Sequence, residues 1–471
     1  MTLSAPTTPK MLVGGWGRYP LIETALLRPE SISGLEAAVA DSNFHSKLGR
    51  GLGRAYGDAA VNGRGATILT EKLNRMLSFD SKGGILRCEA GVTIEDLIET
   101  FMPCGWFPLV VPGTKYVTVG GAIASDIHGK NHHREGSFVN ALRSFTVLTA
   151  SGELVNCSRA LESDLFWATV GGMGLTGVIV DVELKLQKIS TSYIKCRSIR
   201  TNSLAETLGC FSELEPEFQY SVAWIDCLAS KKQLGRGIVM FGNHAELDDL
   251  ETDKRKDPLL VARKRAITVP FDLPEFVLNR YSIGAFNQCF WSAHLEKDRE
   301  RVLSYEPYFF PLDKIKSWNR LYGSNGFVQY QCVVPQTSDN AIAKMLELSS
   351  QYGMASFLAV LKRFGPERGL LSFPKAGITL TLDMPVRGKL FEFIAKLNEL
   401  VLESEGRVYL AKDAYLSAEH FRIMYPNYKR WLAIKSKVDP GYIFRSSLAE
   451  RLQLFPSEVN SHRGQASNRT C

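Results

Sequence analysis

The sequence of 471 residues predicts an α+β fold built in two parts, and three features point to it. The first is Thr118–His133, TVGGAIASDIHGKNHH, where adjacent glycines follow a β-branched run and small residues come next. Almost nothing projects from such a backbone, so its N–H groups can lie directly against a diphosphate or a flat ring. A tight turn packed on a sheet has the same composition, so this stretch alone does not decide. The second feature is a pair of further glycine clusters, GRGLGRAYGD at 49–58 and VGGMGLTG at 170–177, set between alternating apolar strands. The third is a change of texture from about residue 191, where strand-like and helical segments alternate. That pattern predicts an antiparallel sheet covered by helices.

Along the chain, residues 1–10 form a polar, proline-bearing lead-in, and GGWGRYP at 14–20 is a turn suited to packing across a ligand. Residues 33–40 predict a short helix, with Ser33 and Glu36 at capping-box spacing. Ile85–Cys88 reads as a strand, and Thr93 as the N-cap of an amphipathic helix. Residues 143–155 predict a hairpin turning at Ser151-Gly152, SDLFWATVGG a short helix, and Val178–Leu186 a strand. No glycine cluster is a G-x-x-x-x-G-K-[ST] phosphate loop, and none opens a helix as a G-x-G-x-x-G turn does. Further strands are predicted within 193–201, 220–229, 237–243, 326–335, 355–365 and 377–386, with helices at 340–353 and 389–406. The charged region 246–280, carrying Lys254–Lys256 and Arg263–Arg265, predicts a mobile loop, read either as solvated charge or as a basic patch facing a membrane. Residues 459–471 predict a disordered tail.

Composition excludes several classes of function. The net charge of +7 is modest, and no arginine stripe interleaved with aromatics suggests nucleic-acid binding. That charge suits an acidic ligand or an anionic membrane surface. Nine cysteines without a C-x-x-C predict free thiols in a reducing compartment, not disulfides or a metal site. No secretory signal opens the chain, and no apolar run is long enough to span a bilayer. A cytoplasmic location, or a peripheral one at the inner membrane, is expected, with periplasmic placement left open.

GRGLGRAYGD, PGTKYVTVGGAIASDIHGKNHH and LFWATVGGMGLTGVI together resemble the FAD-binding domain of the vanillyl-alcohol-oxidase, or p-cresol-methylhydroxylase-type, flavoproteins. The likeness continues through WNRLYG, FVQYQ, SFP and YLAKD to KVDP, and is closest to the branch that oxidises ribose carried on a polyprenyl phosphate. The resemblance implies an FAD domain of residues 7–190 completed by 407–458, with a substrate domain of 191–406 between them. It implies oxidation of the 2′-hydroxyl of a polyprenyl (decaprenyl) phosphoryl-β-D-ribose to the 2′-keto sugar. A separate NADH-dependent keto-reductase would then complete epimerisation to a lipid-linked arabinose donor, and the lipid implies peripheral membrane contact. Two rival readings remain: an FAD-dependent oxidase of free sugar alcohols or lactones, and a non-catalytic protein that binds lipid-linked sugars.

Carried over position by position, the resemblance places FAD against Gly49, Arg50, Gly51, Leu52, Gly53, Arg54, Ala55, Tyr56, Gly57, Asp58 and Ala59. It adds Gly113, Thr118, Val119, Gly120, Gly121, Ser125, Asp126, Ile127, His128, Gly174, Ser221 and Tyr409. No histidine or cysteine stands at the place around Arg54 where many members attach the flavin, so non-covalent binding is expected. Lys412, with Tyr409 and His128, matches the catalytic group. A lone lysine after a strand is ordinarily a solvated surface residue. Tyr409 and Lys412 would lie on opposite faces of an unbroken strand, so a bend between them is required. His128 reads equally as a hydrogen-bonded core histidine or as a proton carrier. Trp224, Phe309, Gln329, Gln331, Lys362, Thr379 and Thr381 match the substrate pocket. Of these, Thr379, Thr381 and Phe309 depart from the family's asparagine, cysteine and tyrosine.

Overall fold

The computed structural model describes residues 8–260, 266–294, 296–338, 340–366 and 368–456. Arg263–Arg265 and the tail 459–471 lie outside the described residues. The architecture is α+β, as expected. A four-stranded sheet runs Lys10–Val13, Ile22–Leu27, Ala66–Leu69, Lys47–Arg50 in spatial order. Its last two neighbour pairs are parallel, and the helix Ile32–Ala40 provides a crossover. That helix is capped one residue before its start by Ser31, whose hydroxyl accepts from the Gly34 amide at 3.1 Å. Ser33 sits inside the first turn, so the predicted capping pair is not the one used.

A second sheet sets Val178–Lys188 between Ile85–Glu89 and the predicted hairpin, Leu142–Leu148 with Leu154–Ser158. Thr93 caps the helix Ile94–Phe101 and exchanges hydrogen bonds with Asp96, which satisfies two amides the helix cannot pair internally.

The third sheet has eight strands, antiparallel at every pairing. The helices Ala341–Tyr352 and Leu390–Glu403 bury apolar stripes beside it. Toward one edge of it Phe327–Val334 pairs with Gly377–Pro385 so that Gln329 faces Asp383 and Gln331 faces Thr381. Because side chains alternate, Thr379, Thr381 and Asp383 share one face with Gln329 and Gln331. A polar row is thereby built into strands that are buried along their whole length.

The described residues of 246–280 include regular structure where a mobile loop is predicted. Asp249 closes a capping box at Glu246, Thr252–Arg255 is a helical turn, and Ile267–Thr268 pairs in parallel with Ile315–Lys316. Lys254 and Lys256 are paired with Glu251 and Asp253, so local carboxylates answer these lysine charges. Among the described residues no helix is long and apolar enough to cross a membrane.

The glycine loops converge. A Cβ on Gly51 would lie 2.1 Å from Thr118 Oγ1, and one on Gly57 would lie 1.8 Å from the Asp413 carbonyl oxygen. The Gly171 amide donates to Ile123 at 3.0 Å, and that of Met173 to Ala124 at 2.9 Å. The C-terminal return is tied to the first loop by Arg451, which donates to both Asp58 oxygens at 2.9 and 2.8 Å and to Asp413 at 2.8 Å. Asp58 therefore serves the loop's attachment. Gly57→Ala forces a methyl group onto backbone and should destabilise the protein by about 1–3 kcal/mol, the usual cost of overpacking. Gly209→Ala, in a helix interior with open space around it, should instead stabilise by about 0.5–1 kcal/mol. Denaturant unfolding of the two variants checks the contrast.

Candidate active site

The first loop has the properties of an anion cradle. Among the described residues, the backbone N–H groups of Leu52, Gly53, Arg54 and Ala55 find no acceptor. Arg50 folds across the loop and donates to Ala60 O at 2.9 Å and Gly14 O at 2.7 Å. Gly53, at φ +64°, leaves room for that guanidinium, which a side chain would strike. Arg54 lies 3.9 Å from the centre of the Trp16 ring and 5.1 Å from that of Tyr116. The turn at 14–20 thus packs against this loop. Gly113 faces open space, while Gly174 adopts φ +74°, and a Cβ there would lie 3.8 Å from the Gly49 carbonyl oxygen.

The second loop differs from its prediction. Its glycine pair does open a helix, Val119–Ala124, capped by Thr118 through the Gly121 amide at 3.2 Å. The Val119 and Gly120 amides are taken by Val92 O at 2.7 Å and Ala90 O at 2.8 Å. These donors serve the fold, and what the segment offers a ligand is its lack of side chains. Asp126, fully buried, accepts from Ser137 Oγ at 2.8 Å and from the Val139 amide at 3.2 Å. Burial pushes its carboxyl up to about 6. The Ile127 amide donates to Ala122 O, and Ser125 O accepts from Tyr409 OH at 2.8 Å.

His128 stands where the loops meet the polar row. Gln331 Nε2 donates to His128 Nε2 at 2.9 Å and to Thr379 Oγ1 at 2.9 Å. The imidazole therefore carries its proton on Nδ1. That atom and Gln331 Oε1 have no hydrogen-bond partner among the described residues. Burial, with Lys362 and Lys412 near, holds the ring well below its ordinary value and keeps it neutral. Phe364, Tyr409 and Phe373 enclose it, with ring centres 4.7, 5.2 and 5.5 Å away.

The required bend after the last strand is present. Tyr409 follows Arg407–Val408, and the Lys412 amide donates back to Tyr409 O at 2.9 Å, which turns both side chains toward one site. Lys412 Nζ lies 5.6 Å from the centre of the Tyr56 ring and makes no hydrogen bond or ion pair among the described residues. Burial and Lys362 push its amine down, against the pull of Asp383. Burial pushes Lys362 down to about 8, and burial with Lys362 pushes Lys130 down to about 7. Lys130 donates to the carbonyls of Tyr308 and Phe309. Lys362 thus lies within electrostatic reach of both Lys412 and Lys130 in a low-dielectric interior, an arrangement that an anion would stabilise.

Two members of this cluster escape the sequence reading. Lys130 lies two residues beyond His128 and looks like a surface charge after a loop. Asp383 is fully buried, accepts from Gln329 Nε2 at 2.5 Å and has a second oxygen without a partner among the described residues. Burial pushes its carboxyl up. Strand alternation from Thr379 and Thr381 was the signal that could have found it. Other matched residues are engaged within the fold. Trp224 donates to Phe357 O at 3.0 Å, and Phe309 packs edge-on to Tyr220 at 4.8 Å. Thr381 is buried on the polar row. Ser221 Oγ donates to Glu215 at 2.5 Å, so its hydroxyl is already engaged.

The donor set fits a flavin dinucleotide: free amides for a diphosphate, open space at Gly113, and unpaired polar atoms and cations at the far end. Residues 24–158 match the family model described as FAD binding domain, and residues 378–452 the model described as D-arabinono-1,4-lactone oxidase. The decaprenylphosphoryl-beta-D-ribose oxidase of Mycolicibacterium smegmatis is 40% identical over 459 residues, 96% of this chain and 99% of its own. This chain belongs to the decaprenylphosphoryl-beta-D-ribose oxidase family. An uncharacterised Streptomyces coelicolor protein is 33% identical over 374 residues, 77% of this chain and 100% of its own. Cytokinin dehydrogenase 2 of Arabidopsis thaliana is 29% identical over 153 residues, 32% of this chain and 30% of its own.

For this member of the oxidase family, the lowered lysines yield a pH prediction. Between about 8 and its ordinary value of 10.5, Lys362 is neutral in the free protein. An anion bound beside it raises its proton affinity, so binding takes up protons in that window. Calorimetry of a short prenyl phosphate at pH 9, in buffers of different ionisation enthalpy, should show net uptake approaching about one proton. Uptake should fall in Lys362→Met. No net uptake in the unsubstituted protein would contradict the placement.

Proposed function

We propose that this protein uses non-covalently bound FAD to oxidise the 2′-hydroxyl of a polyprenylphosphoryl-β-D-ribose to the 2′-keto sugar. The observation that carries the reading is the set of desolvated lysines around a neutral histidine, reached from loops able to hold a dinucleotide. FAD, when bound, supplies the acceptor for the hydride. The free amides of Leu52–Ala55 hold its diphosphate, and the absence of histidine or cysteine around Arg54 supports attachment without a covalent bond. Lys412 places a positive charge where negative charge arrives during the reaction. His128, kept neutral and oriented by Gln331, offers its Nδ1–H to a substrate oxygen as a hydrogen-bond donor, and the alcohol proton leaves to solvent. Lys362 and Lys130 bind the substrate phosphate, and Gln329 and Thr381 face the sugar.

On this reading residues 7–190 and 407–458 form the flavin domain, with 191–406 as the substrate domain. The keto sugar then passes to an NADH-dependent keto-reductase, and its lipid keeps the enzyme at a membrane surface. The match of residues 378–452 to the D-arabinono-1,4-lactone oxidase model favours a second reading, oxidation of a free sugar lactone.

Anaerobic mixing of the flavin-loaded protein with a polyprenylphosphoryl ribose should bleach the flavin absorbance. Lys412→Met should keep the flavin and slow bleaching by about a hundredfold or more. Bleaching by a sugar lactone alone, or unaltered rates in Lys412→Met, would refute the proposal.

A further inference from the structure

The segment from Pro270 to Arg280 is pinned to the body of the protein yet points its aromatic side chains outward. Arg18 donates to both Asp272 oxygens, at 2.5 and 3.0 Å, and Arg320 donates to Pro270 O. Arg387 donates to the carbonyls of Glu275 and Leu278, and Asn325 to the Glu275 carboxylate. A strap held at so many points could turn its apolar residues inward. Instead Phe271 is 61% exposed and Phe276 74%, while Tyr281 and Phe286, on the helix Arg280–Ser292, are 85% and 47% exposed. Large aromatics left in water on an anchored element mark an interaction surface.

Charge and continuity identify the occupant. Both acids of the strap are engaged, Asp272 by Arg18 and Glu275 by Asn325. Arg280 and, beside the paired strand Ile267–Thr268, Lys314 and Lys316 have no carboxylate partner among the described residues. The surface therefore offers aromatic rings flanked by cations, the composition of an interfacial membrane anchor for anionic lipid. It also leads to the strand that carries Lys362, because Trp224 pairs with Val360 on that strand. Phe286 stacks on Phe290 at 5.9 Å, Phe290 packs on Trp224 at 4.7 Å, and Trp224 is tied to Phe357.

We propose that Phe271, Phe276, Tyr281 and Phe286 dock this protein on an anionic lipid bilayer and receive the prenyl tail there beside the Trp224 wall. The inference rests on the lipid-linked substrate proposed above. Aromatic insertion carries it, in place of the basic patch at Lys254–Lys256, which pairs with its own carboxylates.

The test is flotation of the flavin-loaded protein with phosphatidylcholine vesicles containing phosphatidylglycerol. The unsubstituted protein should float with the vesicles, and Phe271→Ser/Phe276→Ser should lose about tenfold or more of that partition. The double variant should keep its flavin and its rate on a short-chain, water-soluble phosphoryl ribose, because neither residue touches the reacting groups. A second variant, Tyr281→Ser, should weaken flotation in the same direction. Equal flotation of unsubstituted and double-variant protein would overturn docking. So would absence of flotation, or a dimer that becomes a monomer in the variant, which would make the surface a contact between copies. Loss of turnover on the soluble analogue in the unsubstituted protein would strike the proposed reaction instead, so the two failures are distinguishable.

Discussion

Everything at this site depends on lysines kept out of water without carboxylates to pair them. Lys362 and Lys412 have no hydrogen bond or ion pair among the described residues, and Lys130 reaches only carbonyls and ring faces. Desolvation makes each charge unfavourable, and Lys362 raises the electrostatic potential felt by Lys412 and Lys130. A folded protein tolerates this only where the strain is offset elsewhere, and the fully buried strands behind the cluster supply the packing to do so. The same potential holds His128 neutral and favours negative charge on whatever enters. Ligand affinity and proton chemistry therefore have one physical origin.

The scaffold makes that arrangement precise through backbone contact. Loops with few side chains approach one another so closely that a Cβ at Gly51 or Gly57 would meet its neighbour at about two ångströms. The C-terminal return delivers Tyr409 and Lys412 to the first loop, and Arg451 fastens the two through Asp58 and Asp413. Polar residues in the interior of a sheet are costly, yet register sets Gln329 against Asp383 and Gln331 within reach of Thr379. These partners satisfy one another across the row and leave single atoms open toward the recess.

Much of the fold was legible in the sequence. Thr93 was a readable cap because its hydroxyl and Asp96 sit at the spacing the helix geometry demands, and the hairpin at Ser151-Gly152 carries its own turn chemistry. The cap of the first helix was not, since Ser31 and Ser33 offer the same hydroxyl and only the path of the chain decides. The glycine pair at 120–121 reads as an open loop because helix propensity argues against it, whereas tertiary bonds from Ala90 and Val92 set it into a short helix. Lys412 and His128 were reached through resemblance, not through spacing. Asp383 and Lys130 were missed because their meaning lies in burial and in neighbours distant along the chain.

The central claim, that a flavin dinucleotide completes this recess, is tested most directly by diffraction from the flavin-loaded protein. The account predicts the diphosphate against the amides of Leu52–Ala55, with the isoalloxazine ring beside His128 and the Lys412 ammonium. A diphosphate bound elsewhere, with those amides facing solvent and Lys412 turned away from the ring, would contradict it.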